Sequence, residues 1–282
     1  MSTIMKGKPA ADALDLDTTA RVEALKAKGI TPTLAILRVG EREDDLAYER
    51  GALKRAEKNG VAVKQVVLPA DASQEDLLAA IKDLNEDASV HGVLLFRPLP
   101  KHMDEAEACE ALAPEKDMDG ITRGSMASIY SGQGAGFAPC TAEGCIEILK
   151  YNGIEMSGKR AVVIGRSLVI GKPVAMLLMA NNATVTVCHS RTQNMQDVVK
   201  EADIVICALG RAEMIDGSYF RAGQTVLDVG INWSEEKGKL VGDVLFDEAE
   251  PIVDAITPVP GGCGSVTTAV LIRHVVEAAE QA

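Results

Sequence analysis

The chain has 282 residues, 47% of them hydrophobic and 25% charged, with a formal net charge of −12. That length suits two domains of ordinary size or one large one, and the composition is typical of a soluble globular protein. The acidic balance argues against general binding to nucleic acid or to an acidic membrane, which needs a basic face, and leaves open a local basic pocket for a small anion.

The N-terminal stretch MSTIMKGKPAADALDLD has no long apolar run, and no stretch approaches a membrane span, so the expected location is the cytoplasm. Residues 9–28 read as a helix. TPTLAILRVG (31–40) is a continuous apolar run, the pattern of a strand buried on both faces. DDLAYERGALKRAEKNG (44–60) is a helix stopped by Gly60. VAVKQVVLP is a second strand, DASQEDLLAAIKDLNED a helix with a strong N-terminal signature, and VHGVLLFRPLP a third strand entering a proline-rich turn. MDEAEACEALAP is helical, 116–141 reads as loop-rich, with its Gly/Ser-rich part at 131–137 an expected active-site loop, and AEGCIEILKYNG is a helix.

From Ser157 short apolar strands (KRAVVIG, ATVTVCHS, DIVICALG, TVLDVGIN) alternate with helices or short links, and a long amphipathic helix begins near Thr267. Alternation of this kind predicts an α/β fold with parallel sheets covered by helices on both faces. The six cysteines form no CxxC pair, and the four histidines form no cluster, so reduced thiols and no metal are expected.

AVVIGRSLVIGKPVAMLL (161–178) is a strand, a glycine-bearing turn and a helix. Gly165 and Gly171 flank the turn and Ser167 lies between them, an arrangement that lets backbone N–H groups approach a phosphate. A plain tight strand-to-helix turn is the alternative. The next strand ends in CHSRT, which puts Ser190 and Arg191 where ribose-recognition groups stand in a nucleotide-binding unit. An acidic residue there would favour NAD. A hydroxyl and an arginine, with Arg166 in the preceding turn, suit a 2′-phosphate and favour NADP.

Five segments then occur together and in order: KDMDG (116–120), PCTAEG (139–144), GRSLVIGKP (165–173), DVGIN (228–232) and TPVPGGCGSVT (257–267). With them the whole chain resembles the bifunctional methylenetetrahydrofolate dehydrogenase/methenyltetrahydrofolate cyclohydrolase (FolD) family. The resemblance implies an N-terminal three-layer α/β folate domain, residues 1–144 completed by the C-terminal helix 267–282, and a Rossmann-like NADP domain, residues 145–266, with the active site in a cleft between them. It implies a homodimer acting on tetrahydrofolate derivatives in one-carbon metabolism and purine biosynthesis, with no nucleic-acid or membrane partner. Two reactions are implied: oxidation of 5,10-methylenetetrahydrofolate by NADP⁺, and hydration of the 5,10-methenyl cation to 10-formyltetrahydrofolate.

Carried over by position, Asp119 resembles the carboxylate that binds the pterin, whose amine and ring N–H donors a carboxylate matches; an Asx-turn role in DMDG is the alternative. Tyr48 resembles the aromatic beside the folate, where a lone tyrosine would otherwise read as core packing. Further folate contacts are implied at Phe96, Pro98 and Leu99, and at Gly262, Gly264, Ser265 and Thr267. Cofactor contacts are implied at Thr141, at Gly165, Arg166, Ser167, Gly171 and Pro173, at His189, Ser190 and Arg191, and at Gly210, Gly230 and Ile231; by the resemblance Arg166 and Ser190 hold the 2′-phosphate and Ile231 uses its backbone near the nicotinamide. Cys140 sits in the PCT turn and is not read as a nucleophile, because no histidine is paired with it in the sequence.

The family pattern puts its lysine four residues after the tyrosine, one turn on along the same helical face. Here that position is Ala52. Lys54, six residues on, points about 120° away, and Arg55 returns to the tyrosine face two turns on; both are possible auxiliaries. An arginine stays charged and is a poor proton shuttle. Phe96 stands where the family has the glutamine that bonds the lysine, Asp45 where a serine is common, and Ser265 where proline is usual. Hydride transfer needs the reacting carbon held against a nicotinamide and no protein proton group. Hydration of the methenyl cation needs proton movement. The expectation is that dehydrogenase activity survives, while cyclohydrolase activity is weak or run through Asp45, Arg97 or ordered water. The rivals are a monofunctional NAD(P)-dependent methylenetetrahydrofolate dehydrogenase, a non-enzymatic folate- or nucleotide-binding protein, and an unrelated amino-acid dehydrogenase of similar plan.

Overall fold

The structure is a computed structural model and describes residues 2–282. In chain order the elements begin β1 (Thr3–Ile4), α1 (Gly7–Ala27), β2 (Thr33–Val39), α2 (Glu43–Asn59), β3 (Ala62–Leu68), α3 (Gln74–Glu86), β4 (Gly92–Leu95), α4 (Glu105–Ala111), α5 (Arg123–Ser131) and α6 (Cys140–Tyr151). They continue β5 (Arg160–Ile164), α7 (Gly171–Ala180), β6 (Thr184–Cys188), α8 (Met195–Lys200), β7 (Ile204–Cys207), β8 (Thr225–Asp228), β9 (Asn232–Ser234), β10 (Lys239–Val241), α9 (Phe246–Ala249), β11 (Ala255–Ile256) and α10 (Thr267–Gln281). The chain divides into two compact units, one of residues up to Ala11 with Thr141–Thr267, the other of Asp12–Cys140 with Thr268–Ala282.

The second of these units is built on a three-stranded parallel sheet, order β3-β2-β4. The central β2 is TLAILRV, and six of its seven residues are buried. Alternate residues of a strand face opposite ways. Ala35, Leu37 and Val39 join Leu77, Ile81 and Leu84 of α3 and Ala108 and Cys109 of α4 in one core. Arg38, of opposite parity, is buried too, and it is tolerated because Glu49 of α2 pairs with it at 3.0 Å, while Gln65 donates to the same carboxylate at 2.6 Å. α3 starts where its sequence signature puts it: the Ser73 hydroxyl accepts from Asp76 N–H, and the Asp76 carboxylate accepts from Ser73 N–H.

The other unit holds a six-stranded, all-parallel sheet, order β1-β11-β8-β7-β5-β6. Its inner strands β5, β7 and β8 are apolar almost throughout, as strands covered on both faces must be. One face packs Val162, Ile164, Val205 and Val226 against Val199, Phe220 and Val253. This is the doubly wound, Rossmann-like α/β arrangement that strand–helix alternation predicts. The six cysteines are free thiols and all buried. No helix among the described residues is long and apolar enough to cross a membrane, and the described residues contain no cluster of three or more His, Cys, Asp or Glu placed to hold a metal ion.

Three features differ from the sequence reading. The stretch 116–141 is not all loop: α5 lies within it, started by Thr122, whose hydroxyl accepts from Ser125 N–H. Its sequence RGSMASIYS is poor in strong helix formers and depends on such local bonds. The first residues, expected with the folate domain, instead add β1 to the six-stranded sheet, with Thr3 opposite Ala255 and Ile4 opposite Ile256. After β8 the chain makes an antiparallel pair, β9 with β10, that the reading did not include.

Candidate active site

In the three-stranded unit α2 carries the residues that opened the functional question. Its buried face is Asp45, Glu49, Ala52, Ala56 and Asn59, at helical spacing. Tyr48 borders that face and meets the edge of Phe96, with centroids 5.9 Å apart and planes at 81°. Burial pushes the Tyr48 phenol well above its usual range, and the nearby Cys140 and Asp119 push it further. The structure thus gathers Tyr48, Phe96, Asp119 and Cys140 around one locus.

Asp119 is half-buried and its Oδ1 accepts from the Cys140 N–H at 3.1 Å. Burial raises its carboxyl, while the hydrogen bond from the Cys140 N–H, and then the charge of Arg97, oppose the rise. Cys140 does have a histidine neighbour, contrary to expectation: its Sγ lies 3.8 Å from His274 Nδ1. The geometry still gives no activated thiol. Cys140 Sγ donates to the Met118 carbonyl at 3.1 Å, and His274 Nδ1, carrying the ring proton, donates to the same oxygen at 2.9 Å. Phe137 stacks at a tilt on the imidazole, centroids 4.8 Å apart. His274 lies on the apolar face of α10, where the sequence alone offers only a core histidine.

The candidate replacements for the family lysine fall as follows. Ala52 is fully buried. Lys54 is exposed. Arg55 is engaged elsewhere, with Asp15 at 2.6 Å and the Thr268 hydroxyl at 2.9 Å, so it is not a loose cation. Asp45 is buried, with its carboxyl raised by desolvation and eased by Arg42, 4.0 Å away. Arg42 in turn donates to the Pro98 carbonyl at 3.0 Å, tying the start of α2 to the turn after β4. Arg97 pairs with Glu105 at 3.6 Å. Glu105 also accepts from the N–H of Leu99, which is buried, whereas Pro98 is exposed.

In the six-stranded unit most of the predicted cofactor residues lie just beyond the carboxyl ends of strands, where open α/β sheets bind ligands, while Gly171 and Pro173 open α7 and Thr141 lies in α6. β5 and β6 pair in parallel with Ile164 opposite Cys188, so Arg166 and Ser190 each follow two residues later. Gly165 has φ 131° and its Cα faces the Ala208 carbonyl so closely that a Cβ would collide with it. The Ser167 hydroxyl accepts from the N–H groups of Ile170 and Gly171, building the entry to α7, in which Pro173 is buried. After β6 the His189 N–H donates to Thr192 Oγ1 at 2.9 Å, and the Arg191 N–H donates to His189 Nδ1 at 3.2 Å. This turn leaves Ser190 and Arg191 exposed. Among the described residues neither Arg166 nor Arg191 has an ion pair, so two uncompensated cations stand at this edge of an acidic protein. A phosphate monoester fits that donor set.

Gly230, Ile231, Gly262, Gly264 and Ser265 line a cavity of about 190 Å³ together with Pro258–Pro260. Pro258–Pro260 lie in the TPVPGG segment but were not among the residues expected at the site. Gly210 is exposed beyond β7, Thr141 is half-buried early in α6, and Thr267 is buried at the start of α10. The predicted folate set is divided: Tyr48, Phe96, Pro98, Leu99 and Asp119 belong to the three-stranded unit, and Gly262, Gly264, Ser265 and Thr267 to the six-stranded one.

Comparison with known proteins agrees across both units. Residues 5–119 match the family model described as tetrahydrofolate dehydrogenase/cyclohydrolase, catalytic domain, and residues 139–282 match its NAD(P)-binding domain. The chain is 51% identical over 281 residues to the bifunctional protein FolD of Carboxydothermus hydrogenoformans, covering 99% of this chain and 98% of that one. It superposes with TM-score 0.95 and 36% identity on the bifunctional FolD enzyme of Campylobacter jejuni, covering 100% and 99% of the two chains. The Trypanosoma brucei methylenetetrahydrofolate dehydrogenase-cyclohydrolase, solved with NADP cofactor and inhibitor, aligns with TM-score 0.91 and 36% identity over 99% and 98%.

Proposed function

The chain belongs to the tetrahydrofolate dehydrogenase/cyclohydrolase family, and from that premise we propose that it oxidises 5,10-methylenetetrahydrofolate with NADP⁺, with cyclohydrolase activity as the family's second reaction. The observation that carries the proposal is the match of both family models, which together span nearly the whole chain. It works as a homodimer in the cytoplasm, with Asp12–Cys140 and Thr268–Ala282 chiefly serving the folate and the six-stranded unit the nucleotide.

Asp119 accepts hydrogen bonds from the pterin donors, and the Cys140 N–H holds its carboxylate in one orientation. Tyr48 and Phe96 form an apolar wall beside the pterin. Arg166, Ser190 and Arg191 hold the 2′-phosphate. Bound NADP⁺ supplies the hydride acceptor. No protein group need move a proton in that step.

The second step is where this chain departs from its family. Ala52 offers no amine, Phe96 no amide, and Arg55 is committed to Asp15. Of the two buried acids on this face of α2, Glu49 is paired with Arg38, which leaves Asp45, whose carboxyl is raised by desolvation, as the acid to move a proton. These observations favour a second reading, a dehydrogenase with slow hydration of its own product.

One assay separates the readings. Purified protein is given methylenetetrahydrofolate with NADP⁺ or NAD⁺, and reduced cofactor and methenyltetrahydrofolate are followed together. NADP⁺ is expected to be preferred at least about tenfold, since each charge-assisted phosphate contact contributes roughly 1.5–3 kcal/mol. Methenyltetrahydrofolate is expected to accumulate. Equal rates with NAD⁺ contradict the phosphate assignment, prompt disappearance of the methenyl product contradicts slow hydration, and no reduction with either cofactor contradicts the enzyme.

A further inference from the structure

Two buried carboxylates, Asp228 at the end of β8 and Asp243, have no cation against them among the described residues. N–H groups hold them instead. Asp243 Oδ2 accepts from the backbone of Leu209 at 2.5 Å and Gly210 at 3.0 Å, and its Oδ1 from the backbone of Arg211 at 2.8 Å and the Asn232 side-chain amide at 3.0 Å. Asp228 Oδ1 accepts from the N–H of Gly230 at 3.0 Å and of Asp243 at 2.9 Å, and its Oδ2 from that of Val244 at 2.9 Å. The fit is close enough to dictate sequence: a Cβ on Gly230 would collide with the Asp243 carboxylate, and one on Gly242 with that of Asp228.

Together the two side chains tie the segment after β7, the segment after β8 and the residues after β10 into one assembly. With their lone pairs committed to seven donors, they are poorly placed as proton acceptors for a substrate. What they fix is backbone. Gly210, Gly230 and Ile231 are residues assigned above to the cofactor, and Ile231 is 61% exposed beside the cavity.

We infer that Asp243, with Asp228 behind it, is a positioning residue for the nicotinamide end of the cofactor: it holds the Leu209–Arg211 and Gly230–Asn232 backbone where that ring docks. The inference rests on the reading that the chain uses NADP⁺ as hydride acceptor, and it adds which side chains set the geometry of the ring's seat.

The test is Asp243→Asn in the full-length protein. The amide keeps the shape but turns one NH2 toward donors that faced an oxygen. Turnover in methylenetetrahydrofolate oxidation is expected to fall on the order of 10–100-fold. Affinity for 2′,5′-ADP, which carries the phosphate and no nicotinamide, is expected to stay within about twofold. A second readout needs no turnover. Trp233, the single tryptophan, lies two residues from Ile231 and one from Asn232. Its fluorescence is expected to respond to NADP⁺ more than to 2′,5′-ADP in the wild type, and D243N is expected to abolish that difference. Asn232→Ala, which deletes one of four donors, moves turnover and fluorescence the same way by a smaller factor and carries the test if D243N fails to bind 2′,5′-ADP. Wild-type turnover in either variant overturns the inference, as does an equal loss of NADP⁺ and 2′,5′-ADP affinity in Asn232→Ala. If the wild type oxidises no methylenetetrahydrofolate, the functional reading fails, while the Trp233 comparison still decides the role of Asp243.

Discussion

At the scale of single residues, Asp228 links burial to pH. Burial pushes its carboxyl up to about 6; the backbone N–H groups of Val244, Asp243 and Gly230 oppose the rise, and the negative Asp243 adds to it. Cys207 lies close enough to feel the same charge. A carboxyl whose folded value lies above its unfolded one stabilises the protein below the unfolded value, and that contribution is lost as pH rises through the folded value. The window here runs from about pH 4 to above 6, and a carboxyl moved from its ordinary value to about 6 corresponds to roughly 3 kcal/mol. Urea unfolding of wild type and D228N at pH 4 and pH 7 checks this: the variant is expected to gain on the wild type by that order between the two pH values. A second prediction concerns Asp119. Asp119→Asn replaces one acceptor oxygen with a donor facing pterin N–H groups. It should raise the KM for methylenetetrahydrofolate by about 10-fold or more and leave 2′,5′-ADP binding unchanged. Asp119 was legible in KDMDG because a carboxylate matches pterin donors. Its setting by the Cys140 N–H was not, because that bond joins residues 21 positions apart. His274 was illegible for a plainer reason: on an apolar helix face, a histidine that donates to a carbonyl and one that does chemistry look the same in sequence.

At the scale of elements, β2 and α2 depend on each other through a charge pair. Arg38 and Glu49 are both buried, and Glu49 accepts from Gln65 as well. Glu49→Ala removes the partner of a buried guanidinium and should cost about 3 kcal/mol in denaturant unfolding. Glu49→Gln keeps hydrogen bonding and should cost less. The cap of α3 gives a smaller figure: Ser73→Ala deletes half of a reciprocal box and should cost about 1 kcal/mol. Elements of this kind were readable because their signals are local. β2 shows a buried run, α3 its capping box, and α2 the glycine that ends it in a left-handed turn. α5 was not, since RGSMASIYS has few strong formers and three serines and a glycine among its nine residues. β1 was not either, because a two-residue strand carries no pattern and is defined only by its partner 252 positions away.

At the scale of the whole molecule, the division into two units bears on how stability is measured. Trp233 and every predicted cofactor residue belong to the same unit. NADP⁺ at a hundred times its Kd should therefore add about 2.7 kcal/mol to the unfolding transition that Trp233 fluorescence reports. Circular dichroism recorded in parallel shows whether the rest of the chain follows in the same transition, as a cooperative unit must. The parallel six-stranded sheet and its binding edge were legible from the alternation of apolar runs with turns at Gly165 and Ser190. The boundary near the N-terminus was not, because composition does not change across it.

The six thiols, all buried and none in a disulfide, make the protein a convenient carrier for chemical labels. Burial holds the thiols of Cys109, Cys188 and Cys207 above their usual range, and Cys145 is raised first by its bond with Cys263 and then by burial, so these thiols present little nucleophilic thiolate to maleimides. A single cysteine engineered onto an exposed position such as Tyr130 would then react alone, giving one dye per chain without first deleting the native sulfurs.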